Sequence, residues 1–255
     1  MSSKPVGRNP KRNPSTKVLG QSSNKGMIVT VLVLLAVAVL VLGGVVWFAK
    51  KDTGSSPVAL GQTADPQITL TDEGVVGVGK ADAPAKLDIY EDFMCPACGS
   101  LEKAYGAQIS QAVEDGKLHV DYHMLNFLDR SSGSGTYSTR ALAAVQCVAQ
   151  HEKLKTLVDV KSAFFANQPA EGGGDRTTDE LATTAGQAGA GDESVNCIKG
   201  IEDNGSIDTA KKTADASTAS LRKVADKLST PTVVHDGKQV EISDKQWLDK
   251  VLAGK

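Results

Sequence analysis

Residues 86–98 read Lys-Leu-Asp-Ile-Tyr-Glu-Asp-Phe-Met-Cys-Pro-Ala-Cys. The first eight alternate between apolar and polar side chains, the period of a strand with one face in a core. A helical pattern follows at once: Leu101, Tyr105, Ile109, Ala112 and Val113 share one face, and Gly116 is a stop signal. Gly106 weakens that helix locally. Residues 117–124 alternate again and predict a second strand, parallel to the first. Strand, helix and strand make a βαβ unit with a right-handed crossover. The junction of its first strand and its helix carries Cys95, Pro96, Ala97 and Cys98.

Thiol–disulfide exchange needs a thiolate, and an ordinary cysteine, with a pKa of about 8.5, is mostly protonated at neutral pH. A helix N-terminus offers unpaired N–H groups and the positive end of the helix dipole, which favour the anion. A spacing of three puts Cys98 one turn after Cys95, on the same side and within disulfide reach. Pro96 fits the first turn, because its missing N–H would have no partner there. In this arrangement Cys95 is the exposed, attacking sulfur and Cys98 the buried one that resolves the mixed disulfide. The sulfurs carry the electrons themselves, so no cofactor is expected. Zinc sites share the CxxC spacing but need two further ligands. His119 and His123 lie on one strand face and could be proposed for them, against the plainer reading as ordinary strand histidines. No metal is expected.

Working outward toward the C-terminus, helical patterns cover residues 137–151, 154–167, 178–188 and 192–199, with Pro169 and a loop containing Gly172, Gly173 and Gly174 between them. The longest predicted helix spans 207–228, with Ile207, Ala210, Ala214, Leu221, Val224 and Leu228 on one face. The chain then returns to sheet: a strand over 232–235, an Asp236-Gly237 hairpin turn, a strand over 238–242, and a closing helix over 244–252. On the other side, Ile68 and Leu70, and then Val75, Val76 and Val78, predict two short strands.

Residues 1–26 carry Lys4, Arg8, Lys11, Arg12, Lys17 and Lys25 and no acid, while the remainder has 22 basic and 30 acidic residues. A basic arm can bind nucleic acid, but here 23 residues without a charge follow it directly, at 27–49. That length crosses a hydrocarbon core of about 30 Å as a helix, and it exceeds the apolar region of a cleaved signal peptide. Only Lys50 and Lys51 flank its far side, so the excess of positive charge puts the N-terminus in the cytoplasm and the rest of the chain outside. The resulting organisation is a basic disordered tail (1–26), one transmembrane helix in contact with membrane lipid (27–49), a flexible spacer (50–66) and a folded domain (67–255). No nucleic-acid partner is expected.

All four cysteines fall in the exported part, where disulfides form. Cys147 and Cys197 are each flanked by apolar residues, and neither belongs to a CxxC. The plain expectation is a structural disulfide pinning two helices. The sharper one is a second redox pair that relays electrons.

The segment from Phe93 to Cys98, the helical region at about 131–205, and Thr230-Pro231-Thr232 ahead of a strand together resemble the DsbA-like thioredoxin family, most closely its membrane-anchored actinobacterial members. The resemblance covers roughly residues 67–255. It implies an α/β thioredoxin fold with a helical insertion, a cis Pro231 beside the cysteines, and pairing of an extended substrate with the backbone of Thr230. It also implies donation of disulfides to reduced secreted or membrane proteins. Re-oxidation would come from an integral membrane quinone-linked oxidase of the DsbB or vitamin-K-epoxide-reductase-like type. Two departures carry consequences. Ala97 stands where the best-studied members have a histidine that stabilises the thiolate, so a weaker oxidant is expected, between thioredoxin (about −270 mV) and DsbA (about −120 mV). Ile89 stands where the family often has a buried acid, six residues before the first cysteine, which leaves Asp88 or Asp92 to supply a proton-relay carboxylate, with Asp92 equally suited to cap the loop.

Three functions are compatible with these features: an extracytoplasmic oxidase, a membrane-anchored reductase or isomerase, and a surface module that binds peptides or metal without turnover. Pro96 and the insertion favour the oxidase.

Overall fold

A computed structural model describes residues 63–65 and 67–254 of the chain. The expected basic tail, the membrane span and all of the spacer except residues 63–65 lie outside the described residues. Among the described residues, no helix is long and apolar enough to cross a membrane.

Two short strands, β1 (Ile68–Leu70) and β2 (Val76–Val78), form an antiparallel hairpin. β3 (Ala85–Glu91), helix α1 (Pro96–Glu114) and β4 (Leu118–Met124) make the expected βαβ unit, with β3 and β4 parallel in register from Ala85 opposite Leu118 to Glu91 opposite Met124. α1 stops where the sequence signals it. Gly116 takes a φ of 69°, and the N–H groups of Gly116 and Lys117 turn back to the carbonyls of Val113 and Ala112. This is the Schellman closure that a left-handed residue permits.

The insertion contains α2 (Tyr137–His151), α3 (Leu154–Ala166), α4 (Thr178–Gln187) and α5 (Asp192–Lys199). α2 is buried almost all round, packing on the other three, and it carries Cys147, which is disulfide-bonded to Cys197 of α5. α6 (Ser206–Val224) leads back to β5 (Thr232–His235), which pairs antiparallel with β3; β6 (Lys238–Gln239) and α7 (Trp247–Leu252) close the chain. The sheet order is β1-β2-β4-β3-β5-β6. Successive side chains of β3 point to opposite faces. Tyr90 reaches α6, where its hydroxyl is 2.9 Å from Ser220 Oγ, while Leu87, Ile89 and Glu91 face α1 and α3.

Three boundaries differ from expectation by more than two residues. α6 ends at Val224, and Ala225 leaves in an extended conformation, because the chain must span from the helix to Thr230 beside Cys95. Leu228, expected on the buried face, is therefore 42% exposed. The return strand covers only Lys238–Gln239, followed by a single further hydrogen bond from Val240 N–H to the Val233 carbonyl. α7 begins at Trp247, since the Asp244 carboxylate and carbonyl first cap a turn at Gln246 and Trp247.

Candidate active site

Cys95 is the N-cap residue of α1, and Pro96 opens its first turn. β3 delivers the chain to this point through a tight turn in which the Asp92 carbonyl accepts the Cys95 N–H at 2.9 Å. Both cysteines are free thiols. Cys98 has no exposed surface and Cys95 keeps 7%. Cys95 is thus less open than expected, because its thiol turns toward the Thr230 carbonyl and donates to it at 3.4 Å. The recess is still approachable: Pro96 and Ala97 are exposed, and Thr230 and Pro231 are half-buried. The Thr230–Pro231 peptide is cis.

The surroundings separate the two sulfurs electrostatically. The Cys98 thiol, the Thr230 side chain and the backbone N–H groups of Cys98 and Ala97 all favour the Cys95 anion. Against the opposing effect of burial, they pull its pKa down to about 5. An N-cap position places a side chain where such free N–H groups converge. Cys98 moves strongly the other way, first because burial penalises its charge, then because Cys95 and Glu91 lie close by.

Glu91 was not singled out from the sequence. It lies on the α1-facing side of β3, buried to 1%, beside Lys161 of α3. Lys161 Nζ is 3.0 Å from Glu91 Oε2 and 2.6 Å from Glu102 Oε2 of α1, and sits 4.3 Å from the centre of the Tyr122 ring. Glu102 is also held by the Ser162 hydroxyl. One cation between two acids leaves the second charge incompletely offset. Burial accordingly raises Glu91 to about 7, against the attraction of Lys161, while Lys161 and Ser162 keep Glu102 low. A signal for Glu91 was present in the sequence, for it occupies the same strand parity as Leu87 and Ile89, where an acid is out of place.

The structure brings only one of the two expected relay carboxylates near the cysteines. Asp92 Oδ1 accepts the Met94 N–H at 2.8 Å and the Ser138 hydroxyl at 2.6 Å, and Oδ2 accepts the Leu128 N–H at 3.0 Å. It braces the turn before Cys95 to the start of α2. Burial outweighs those bonds and raises its pKa to about 6. Asp88 lies on the opposite face of β3 from Glu91 and accepts from His123 Nε2 at 2.8 Å. It does not face Cys98. His123 stacks on Tyr90, and His119 pairs with Asp121 and the Gly79 carbonyl. The two histidines are thereby committed to separate partners.

Glu91 gives the fold a pH dependence of definite sign. Between its ordinary value of 4.5 and about 7, the unfolded chain releases this proton while the folded chain holds it, so the contribution of Glu91 to stability falls as pH rises through that window. Asp92 contributes in the same sense between 3.8 and about 6. In the reduced protein Cys95, lowered to about 5, contributes in the opposite sense above that pH, so denaturant titrations are expected to show the stability of the wild type relative to Glu91→Gln falling as pH rises from about 4.5 to about 7. A difference that does not change with pH would place that proton elsewhere.

A thioredoxin family profile matches residues 71–252. MdbA from Corynebacterium diphtheriae, described as a thiol-disulfide oxidoreductase, superposes with a TM-score of 0.61 at 28% identity, over 76% of this chain and 94% of that one. DsbA from Mycobacterium tuberculosis superposes with a TM-score of 0.54 at 29% identity, over 71% of this chain and 98% of that one. The chain is also 35% identical, over 209 residues, to the serine/threonine-protein kinase PknE of M. tuberculosis, of whose length it spans only 36%. The profile covers most of the folded part, and the oxidoreductases superpose over nearly all of their own length. Thiol–disulfide exchange, the chemistry of MdbA, is the one that the Cys95–Cys98 pair fits, and on that agreement the chain belongs to the thioredoxin family and is a DsbA-like thiol–disulfide oxidoreductase.

Proposed function

We propose that the chain is an extracytoplasmic oxidase that forms disulfides in secreted or membrane proteins. In this reading it is tethered by residues 27–49 as a single membrane helix, with 1–26 cytoplasmic and 50–66 as spacer. The observation that carries the direction is the stabilised Cys95 anion. Whatever favours the thiolate favours the reduced protein, and so makes the Cys95–Cys98 disulfide readier to take electrons.

In the oxidised protein a substrate thiolate attacks Cys95 Sγ, which belongs to the one residue of the pair with exposed surface. The Cys95–Cys98 bond breaks and Cys98 leaves. Its raised pKa calls for a proton, which Glu91, raised to about 7, can supply. A second substrate thiolate then attacks the substrate sulfur of the mixed disulfide and expels Cys95 as a stable thiolate. The substrate has lost two electrons and the protein has gained them. The cis Thr230–Pro231 loop lies beside Cys95, where an extended substrate can pair with it. A membrane quinone-linked oxidase of the DsbB or vitamin-K-epoxide-reductase-like type would restore the disulfide.

Acid quenching of cells and alkylation of free thiols reads the resting state directly. The oxidase predicts Cys95 and Cys98 mostly disulfide-bonded; a mostly reduced pair would make the protein a reductase or isomerase. A potential between about −270 and about −120 mV is expected for the purified protein.

A further inference from the structure

Gln168 lies two residues beyond the end of α3, just before Pro169, on the insertion side of the cysteine pair. Its side-chain amide Nε2 donates to the carbonyl of Phe93 at 3.2 Å and to the carbonyl of Cys95 at 3.0 Å. These two carbonyls bracket the turn that presents the attacking sulfur. The Cys95 carbonyl also accepts the Gly99 N–H at 3.2 Å, so Gln168 fills its second lone pair. The same segment is gripped through the Phe93 ring, whose centre lies 5.9 Å from that of Phe164 and 4.8 Å from that of Phe165, both on α3. Gln168 can approach only because residue 99 is glycine: a Cβ there would stand 2.0 Å from Gln168 Oε1. The contact therefore depends on two positions far apart in sequence, one in the redox helix and one in the insertion.

From this geometry we infer that Gln168 is a positioning residue for Cys95, through which the helical insertion tunes the redox balance of the pair. The inference rests on Cys95 being the exchanging sulfur. A carbonyl directs its negative end at its surroundings, and the Cys95 carbonyl belongs to the residue that bears the thiolate. An N–H donor on that oxygen offsets its repulsion of the anion. The neutral disulfide gains no such benefit. Removing the donor weakens the reduced, anionic form relative to the oxidised form, and it frees the turn that aims the sulfur at the Ala97 and Cys98 N–H groups.

The test uses the detergent-solubilised full chain. Glutathione equilibrium and the thiolate absorbance titration are measured for wild type, Gln168→Ala and Gly99→Ala. Gly99→Ala keeps the glutamine but drives its amide away, and serves if the first variant does not fold. Each variant is expected to raise the pH of Cys95 ionisation and to shift the glutathione equilibrium about two- to tenfold toward the protein disulfide, the size of one net hydrogen bond. A folded variant whose equilibrium and ionisation match the wild type, even with lower stability, overturns the inference and leaves Gln168 a structural strap. A wild-type protein whose Cys95 does not exchange with glutathione would instead overturn the proposed function, and this inference with it.

Discussion

Cys95→Ser is expected to reduce disulfide transfer to a reduced, disulfide-requiring substrate to the uncatalysed background, while the fold is retained. Only a sulfur can both form the mixed disulfide and leave from it, and Cys98 cannot substitute, since it has no exposed surface and its ionisation is strongly suppressed. The complementary variant, Cys98→Ser, is expected to accumulate a covalent complex with a disulfide-bonded substrate: the Cys95 thiolate attacks the substrate disulfide, one substrate sulfur leaves as a thiolate, and Cys98 is no longer there to resolve the mixed disulfide. Mass spectrometry under non-reducing conditions would show the adduct on Cys95. Transfer that survives in Cys95→Ser would remove the cysteine pair from the mechanism and favour a module that binds without turnover.

The second large effect concerns stability. Cys147 and Cys197 are buried and joined across 50 residues of sequence, tying α2 to α5. Opening a loop of that length returns chain entropy to the unfolded state, and the double variant Cys147→Ser/Cys197→Ser is expected to lose about 4 kcal/mol. At roughly 2–4 °C per kcal/mol for a domain of this size, the melting temperature should fall by about 8–16 °C. Disulfide transfer measured well below that temperature should be unchanged. Normal stability with lost turnover would mean instead that these two sulfurs relay electrons.

Local rules made much of this protein readable. The alternation of residues 86–93, the one-sided helix after them and the glycine at 116 gave the βαβ unit, and with it the placing of Cys95 at a helix N-terminus. The helices at Tyr137–His151 and Asp192–Lys199 and the strand at Thr232–His235 begin and end where their patterns do. What escaped depends on residues that meet only after folding. Lys161 is an unremarkable lysine in an amphipathic segment until α3 packs against α1 and sets it between Glu91 and Glu102. Gln168 is a loop residue until the exit of α3 turns it onto the Cys95 carbonyl. Ile89 occupies the position where a buried acid was sought, and Glu91, two residues further along the same face, points its carboxylate into that region instead. The early end of α6 has the same origin, for helix propensity over 225–228 yields to the need to reach Cys95 with residues 229–231.

The ionisation of Cys95 bears most directly on the account. Thiolate absorbance near 240 nm, followed from pH 3 to 9 in the reduced full chain, should show one thiolate forming with a midpoint of about 5, absent from Cys95→Ser, and no second thiolate below pH 9. A midpoint in the ordinary cysteine range, about 8 to 9, would contradict it: the head of α1 would then not be stabilising an anion, and the chemistry assigned to the pair would lose its physical basis.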